Sequence, residues 1–317
     1  MEFKNRVFGC VIVKSINSNY NADFSHQPRT LPDGTVYATD KALKYAIKNY
    51  LKDAYPNEKI FYFKRFDKDF KPFSLDEAYA NMFEENKETK DKSVVARDIL
   101  SCLDIRLFGA TFAKKGRSQD SNIAISIHGP VQINHGINVW HENNIFSEQI
   151  MSPFRNPKEN DDEEGKSDAS TLGRQSKLQE GHYLHHFSIN PQNLSEVTQL
   201  AGEGANTISA DDIVKLRDAM CKGVTYYDSA AKAGTDNELL IWIQLKEKSN
   251  VVLPNINSLI NTEQIKKNDY KMVFDLSDVT ALVDKYKDAI EKYEVYYQKE
   301  NTIVKNGPQA DNHLDLN

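Results

Sequence analysis

The sequence predicts an α+β fold, a βαββαβ core interrupted by long inserts. Three observations predict it. Near-continuous apolar runs at 7–13 and 238–246 have the length and composition of buried strands. Apolar residues at helical spacing lie between them, at 39–54 and 209–223. The separating stretches 55–103 and 135–181 are too long for plain connections in a compact domain.

Taken in order, "RVFGCVIVKSI" (6–16) is a first strand. In "TDKALKYAIKNYL" (39–51), Thr39 caps a helix, Leu43, Ile47, Leu51 and Ala54 form its apolar stripe, and Pro56 stops it. "NIAISIHGPVQI" (122–133) is a second strand, broken at Gly129-Pro130. "HYLHHFSI" (182–189) is a third, with Tyr183, His185, Phe187 and Ile189 on one face. "SADDIVKLRDAMCKG" (209–223) is a second helix, capped by Ser209 and ended by Gly223. "ELLIWIQLK" (238–246) reads as a central strand. This order is the ferredoxin-like or RNA-recognition layout. The 55–103 insert holds "IFYFKRFDKDFKPF" and a helix, "SLDEAYANMFEEN". The insert 248–269 is polar. After it, Val279, Leu282, Val283, Tyr286, Ile290, Tyr293 and Tyr297 fall on one face of a long helix.

A net charge of −6 argues against a non-specific nucleic-acid coat. The charge is uneven, however: residues 1–52 carry +4, whereas 156–168 carry −4 and 270–317 carry −3. Three widely spaced cysteines, Cys10, Cys102 and Cys221, form no disulfide framework or zinc knuckle and fit a reduced cytoplasmic setting. The run 7–13 is too short to span a bilayer, and no small-residue cleavage site follows it.

Enzyme signatures fail. There is no GxSxG elbow, Walker loop, GxGxxG after a strand or HExxH, and no cofactor is expected. On a strand His185 points away from His182 and His186, so the three form no metal cluster. The acids of 159–168 lie in a charge run of the solvated kind.

Nucleic-acid features do better. At about 100° per residue, Lys41, Lys44, Lys48 and Lys52 occupy an arc of roughly 80° beside the apolar stripe. The plain alternative is a solvated face. The loop "NSNYNADF" (17–24) offers amides for phosphates or 2′-hydroxyls, or simply turn chemistry. "GRQSK" (173–177), with Arg174 and Lys177, sits in a long insert and suits a backbone grip. "RLFGATF" (106–112) lacks the second glycine of an RNP1 pattern.

The ordered motifs Asn19-x-Asn21-x-Asp23, Pro28-Arg29, "TDKALKYAIKNYL", "DIRLFGATFA" (104–113) and "GPVQ" (129–132) resemble the Cas-seven backbone proteins of type I CRISPR Cascade, and most closely the Csh-two branch of type I-B. The resemblance implies a modified RNA-recognition core shaped as a hand. The palm would comprise 1–54, 104–134 and 182–247, with fingers at 55–103, a thumb at 135–181, and 248–317 as a polar insert and C-terminal helix packing on the palm. It implies copies stacked head to tail on a CRISPR RNA, each thumb wedging a kink into the guide while the other bases pair with target DNA. Further implied partners are the other Cascade subunits, Cas-five and the large and small subunits, with no membrane.

Lys44 and Lys48 fall where the family places phosphate-binding residues on its first helix. Asn19, Asn21, Arg29, Lys41, Arg106, Gln132, Arg174 and Lys177 join them as RNA-binding candidates, with Met151 and Phe154 as candidates for the wedge. The family's first loop often reads Asn-Pro-Asn-Gly-Asp; here Tyr20 and Ala22 replace Pro and Gly.

Three functions follow. The first is a non-catalytic, guide-binding filament subunit. The second is a relative that cuts target RNA as in type III complexes, with Asp23 or Asp104 as its acid. The third is a ferredoxin-like scaffold that binds no nucleic acid. As lysines beside a buried stripe, Lys44 and Lys48 are expected to affect stability by no more than about 0.5 kcal/mol.

Overall fold

The computed structural model describes residues 1–114, 122–151, 172–261, 266–268 and 271–317. Phe154 and the acidic run 156–168 lie outside them.

In chain order the elements are β1 (Val7–Ser18), β2 (Tyr37–Ala38), α1 (Asp40–Ala54), α2 (Leu75–Met82), α3 (Lys92–Leu100), α4 (Leu103–Phe108), β3 (Gly109–Lys114), β4 (Ile123–His128), β5 (Val131–Ile133), β6 (Gly136–Asn138) and β7 (Ile145–Met151). They continue with β8 (Leu172–Ile189), α5 (Ser195–Ala201), α6 (Ala210–Tyr226), β9 (Thr235–Leu245), β10 (Lys266–Asn268), β11 (Lys271–Asp275), α7 (Ser277–Lys285), β12 (Ile290–Tyr297), β13 (Thr302–Lys305) and β14 (His313–Leu314).

The main sheet runs β14-β12-β9-β1-β8-β6-β2, with β5 and β7 also paired to β8. All its neighbours are antiparallel except β12 and β14. The apolar run of β1 is buried on both faces, as its composition requires. Val7, Val11 and Val13 join one core with Leu43, Ile47 and Leu51 of α1 and Leu216 and Met220 of α6. Phe8, Cys10 and Ile12 join a second core with Leu239, Ile241 and Ile243 of β9, Phe274 of β11 and Val279 of α7. Ile60, Phe61, Tyr79, Val95 and Ile99 extend the first core, so much of 55–103 is packed structure. Gly9 is needed where β1 passes under Phe187: a Cβ there would sit 2.5 Å from the ring and 2.1 Å from the Ile241 carbonyl oxygen.

Several sequence expectations are corrected. The 122–133 strand is two strands in different sheets: β4 pairs with β3, and β5 with β8. The third strand is 18 residues long, not eight, and runs through the expected 181/182 boundary. Gly223 does not end its helix. It lies inside α6, where a Cβ would sit 3.1 Å from the Ala46 carbonyl oxygen, so its bare backbone lets α1 and α6 approach. Ser209 does cap α6, in a reciprocal box with Asp212. The long C-terminal helix is α7, a turn and strand β12. Tyr293, Val295 and Tyr297 are buried at strand spacing, in a segment rich in aromatic and β-branched residues.

The three histidines engage separate partners. His185 Nδ1 lies 3.0 Å from the Asn134 carbonyl oxygen, and His186 Nδ1 accepts from the Ile256 N–H at 3.2 Å. His182 is buried with Nδ1 2.5 Å from Glu238 and Nε2 3.5 Å from Glu180. Burial alone would lower its pKa, but the two carboxylates outweigh that and raise it from 6.5 to about 9. A pKa raised on folding stabilises below the unfolded value and loses that contribution as pH rises.

Two outcomes are expected. Gly9→Ala lowers stability by about 1–3 kcal/mol in chemical denaturation, through overpacking against backbone. The stability that His182 contributes falls as pH rises from 6.5 to about 9, so the gap in melting temperature between the unaltered protein and His182→Gln narrows across that window.

Candidate nucleic-acid interface

The loop 19–38 is folded by its own polar groups. Asn21 Oδ1 accepts from the backbone N–H of Thr39 at 2.9 Å and from its hydroxyl at 3.0 Å. Thr39 therefore makes no side-chain cap; its hydroxyl turns back to the loop, and the Asp40 N–H donates to His135 Nδ1 at 3.3 Å. Asn19 is buried and donates to the carbonyl oxygens of Ser176 at 3.1 Å and His26 at 3.3 Å. Arg29 Nε donates to Ala22 O at 3.1 Å. The loop thus ties the N-terminus of α1 to β8 where β8 leaves β1: Ser18 pairs with Leu178, and residues 172–177 pair with β7 alone.

The lysines of α1 are a ledge rather than a solvated ridge. Lys41 is exposed. Lys44 pairs with Asp40 at 2.9 Å and lies 5.6 Å from the Phe108 ring centre. Lys48 donates to the Tyr62 carbonyl oxygen at 2.7 Å. Lys52 pairs with Asp53 at 3.1 Å and covers the Phe63 ring. Burial lowers the pKa of Lys48; the charge of Asp104 acts against that, and Lys44 adds to it. Each ammonium has three donors, so Lys44 and Lys48 each spend one on this anchoring and keep others for an anion. Asp104 organises the same spot. It is buried and accepts the N–H groups of Phe61 and Tyr62, both at 2.8 Å, and burial raises its pKa despite those bonds.

Other candidates are placed elsewhere. Arg106 is buried: Nε and Nη2 hold Asp212 at 3.1 and 2.9 Å, and Nη1 donates to the carbonyl oxygens of Leu100 and Ser101. With Glu58 3.5 Å from Nη2, no donor remains for a phosphate. It is a strut between α4 and α6. Gln132 on β5 donates to Gly129 O at 2.8 Å and pairs with Ser188, at the opposite end of β8 from Arg174. The intervening strand spans about 46 Å at 3.3 Å per residue. Arg174 is exposed, and Lys177 is half-buried and paired with Glu148 at 3.6 Å. Met151 ends β7 and pairs with Leu172. Asp23 uses its Oδ1 on the N–H groups of Ser25 and Gln27. Sequence reasoning missed His135, whose contact with α1 is non-local, and the Tyr62 carbonyl, which no residue type reveals.

The expectation of negligible stability effects is corrected for Lys48. Lys48→Ala strands the Tyr62 carbonyl and costs about 1 kcal/mol, whereas Lys41→Ala stays within about 0.5 kcal/mol; urea denaturation distinguishes them.

The model for the family described as "CRISPR-associated protein Cas7" matches residues 5–284. No curated protein matches the chain. Among solved structures, a chain of "CRISPR RNA-guided surveillance complex, pre-nicking" aligns with a TM-score of 0.53 at 13% identity, covering 98% of this chain and 95% of that one. A chain of "CRISPR RNA-guided surveillance complex" aligns with a TM-score of 0.47 at 14% identity, covering 96% and 94%. The first of these is a likeness of fold, and the family match spans most of the sequence. This chain belongs to the Cas7 family of CRISPR-associated proteins.

Proposed function

We propose that the protein is a non-catalytic backbone subunit that binds a CRISPR guide RNA, stacks with further copies along it and presents it for pairing with target DNA. The observation that carries the reading is the α1 ledge in a chain of this family: Lys41, Lys44 and Lys48 share one side of a helix, two of them held by protein acceptors. Fixed ammoniums suit phosphates, which position a strand without reading its sequence. The order β9-β1-β8-β5, with α1 and α6 packed on one face, supports the ferredoxin-like reading of the core. The face on which an RNA-recognition module stacks bases is here covered by the second core, which favours backbone contacts at the periphery.

In this reading β7 and β8 belong to the thumb of 135–181, with Arg174 and Lys177 toward the guide and Met151 and Phe154 as candidates for the wedge. Residues 55–103 supply the fingers. Asn19 and Asn21 shape the loop that sets the ledge, and Arg29 lies beside it. The type I-B branch, the Cas-five, large and small subunit partners and a cytoplasmic setting belong to the same proposal. No described helix is long and apolar enough to cross a membrane. The cleavage alternative is disfavoured because Asp104 is buried with both oxygens on backbone N–H groups, and Asp23 holds two backbone N–H groups on one oxygen to shape its turn.

The double variant Lys41→Ala/Lys44→Ala is expected to lower the slope of log affinity for guide RNA against log salt by about 1.4, roughly 0.7 per contact on a single strand. The loss is equal for guides of any sequence. Fluorescence anisotropy across a salt series checks it, and an unchanged slope removes the ledge as the site. Metal-dependent RNA cutting by the pure protein, lost in Asp23→Ala or Asp104→Ala, favours the cleavage alternative instead.

A further inference from the structure

Three hairpins in this chain share one hydrogen-bond pattern. In the first, the Asp23 N–H donates to Gln27 O and the His26 N–H to Asp23 O. In the second, the Leu31 N–H donates to Thr35 O and the Gly34 N–H to Leu31 O. In the third, the Asp67 N–H donates to Lys71 O and the Phe70 N–H to Asp67 O. Asp67 Oδ1 also accepts from Asp69 and Lys71, as Asp23 Oδ1 does from Ser25 and Gln27. The fourth residue is left-handed each time, with φ of 62° at His26, 88° at Gly34 and 60° at Phe70.

Gly34 is the unstrained solution to this turn. Phe70 occupies the same position with a bulky ring, which is 86% exposed. Strain held at a well-bonded tip, with no packing in return, points to presentation of the side chain. The surroundings say to what. Phe66, facing Pro72 across the hairpin, is 52% exposed, and Lys64 Nζ stands 4.8 Å from its ring centre. Lys68 and Lys71 are exposed, as is Asp69, and one oxygen of Asp67 accepts two amides. Exposed rings alone would fit a protein pocket. Rings interleaved with ammoniums fit bases and their phosphates.

We propose that the 64–72 hairpin is a second nucleic-acid site, a stacking platform for unpaired bases of a single strand other than the guide, with Phe66 and Phe70 as stacking faces and Lys64, Lys68 and Lys71 on the phosphates. It rests on the guide-binding reading, in which the guide lies on the α1 ledge and the hairpin takes another strand.

The test uses the full chain with whatever RNA it retains, titrated with a labelled oligothymidylate, and separately an oligouridylate, of about 15 nucleotides. Phe66→Leu/Phe70→Leu is expected to weaken binding about tenfold. Phe70→Trp retains affinity, and its fluorescence is quenched on binding. Phe70→Gly, which relieves the left-handed strain, raises the melting temperature yet weakens binding. A merely structural role moves stability without these binding changes. Unchanged affinity in the leucine variant, with no tryptophan quenching, overturns the proposal. So does a leucine variant that binds normally but no longer self-associates, which assigns the hairpin to a protein contact. RNA retained by the leucine variant reports guide binding separately, so failure of that reading and failure of this one are distinguishable.

Discussion

The complete burial of β1 is the constraint on which the rest depends. The strand is hydrogen-bonded on both edges, to β8 and β9, and covered on both faces by separate apolar cores. A sheet closed in this way offers no open face to a ligand. Polar side chains are displaced to strand ends, to the flank of α1 and to the extension of β7 and β8. Residues 19–29 begin where β1 ends, and their side chains bond to the loop's own backbone, to the start of α1 and to β8. The position of the lysine ledge thus follows from where the buried strand stops.

What was legible in the sequence is what one periodicity decides. β1, α1, α6 and β9 bury enough apolar surface to announce their type. The C-terminal segment misled because Tyr286, Ile290, Tyr293 and Tyr297 repeat at spacings that satisfy a helix, while Tyr293, Val295 and Tyr297 also alternate as a strand. Pairing with β9 decides between the two. β8 was read at half its length because its first residues, Gly173 to Lys177, carry no apolar alternation; their strand character comes from β7. At the site, helix geometry placed the lysines correctly on one arc. The Asp40–Lys44 pair is an i,i+4 contact of that same helix, but helix geometry did not show that the Tyr62 carbonyl would hold Lys48, since that acceptor sits on a loop ordered by Asp104.

Anchoring changes what such a cation does. A free lysine loses side-chain entropy when it grips a phosphate. Lys44 and Lys48 have lost part of it on folding, so under the proposed reading a phosphate would cost them less to hold, at the expense of a positive field weakened by Asp40. Arg106 shows the opposite use of charge: every donor is consumed within the fold, and a basic residue in a motif is a strut.

The two ends of the main sheet have a consequence for assembly. One border is the two-residue strand β2, the other the two-residue strand β14, laid parallel on β12. Borders this short give an incoming chain almost no ladder to extend. At these two borders a second copy would meet loops and side chains, with almost no strand edge to extend. Runaway strand-on-strand aggregation is closed at those borders, where a neighbour could be recognised only by discrete contacts.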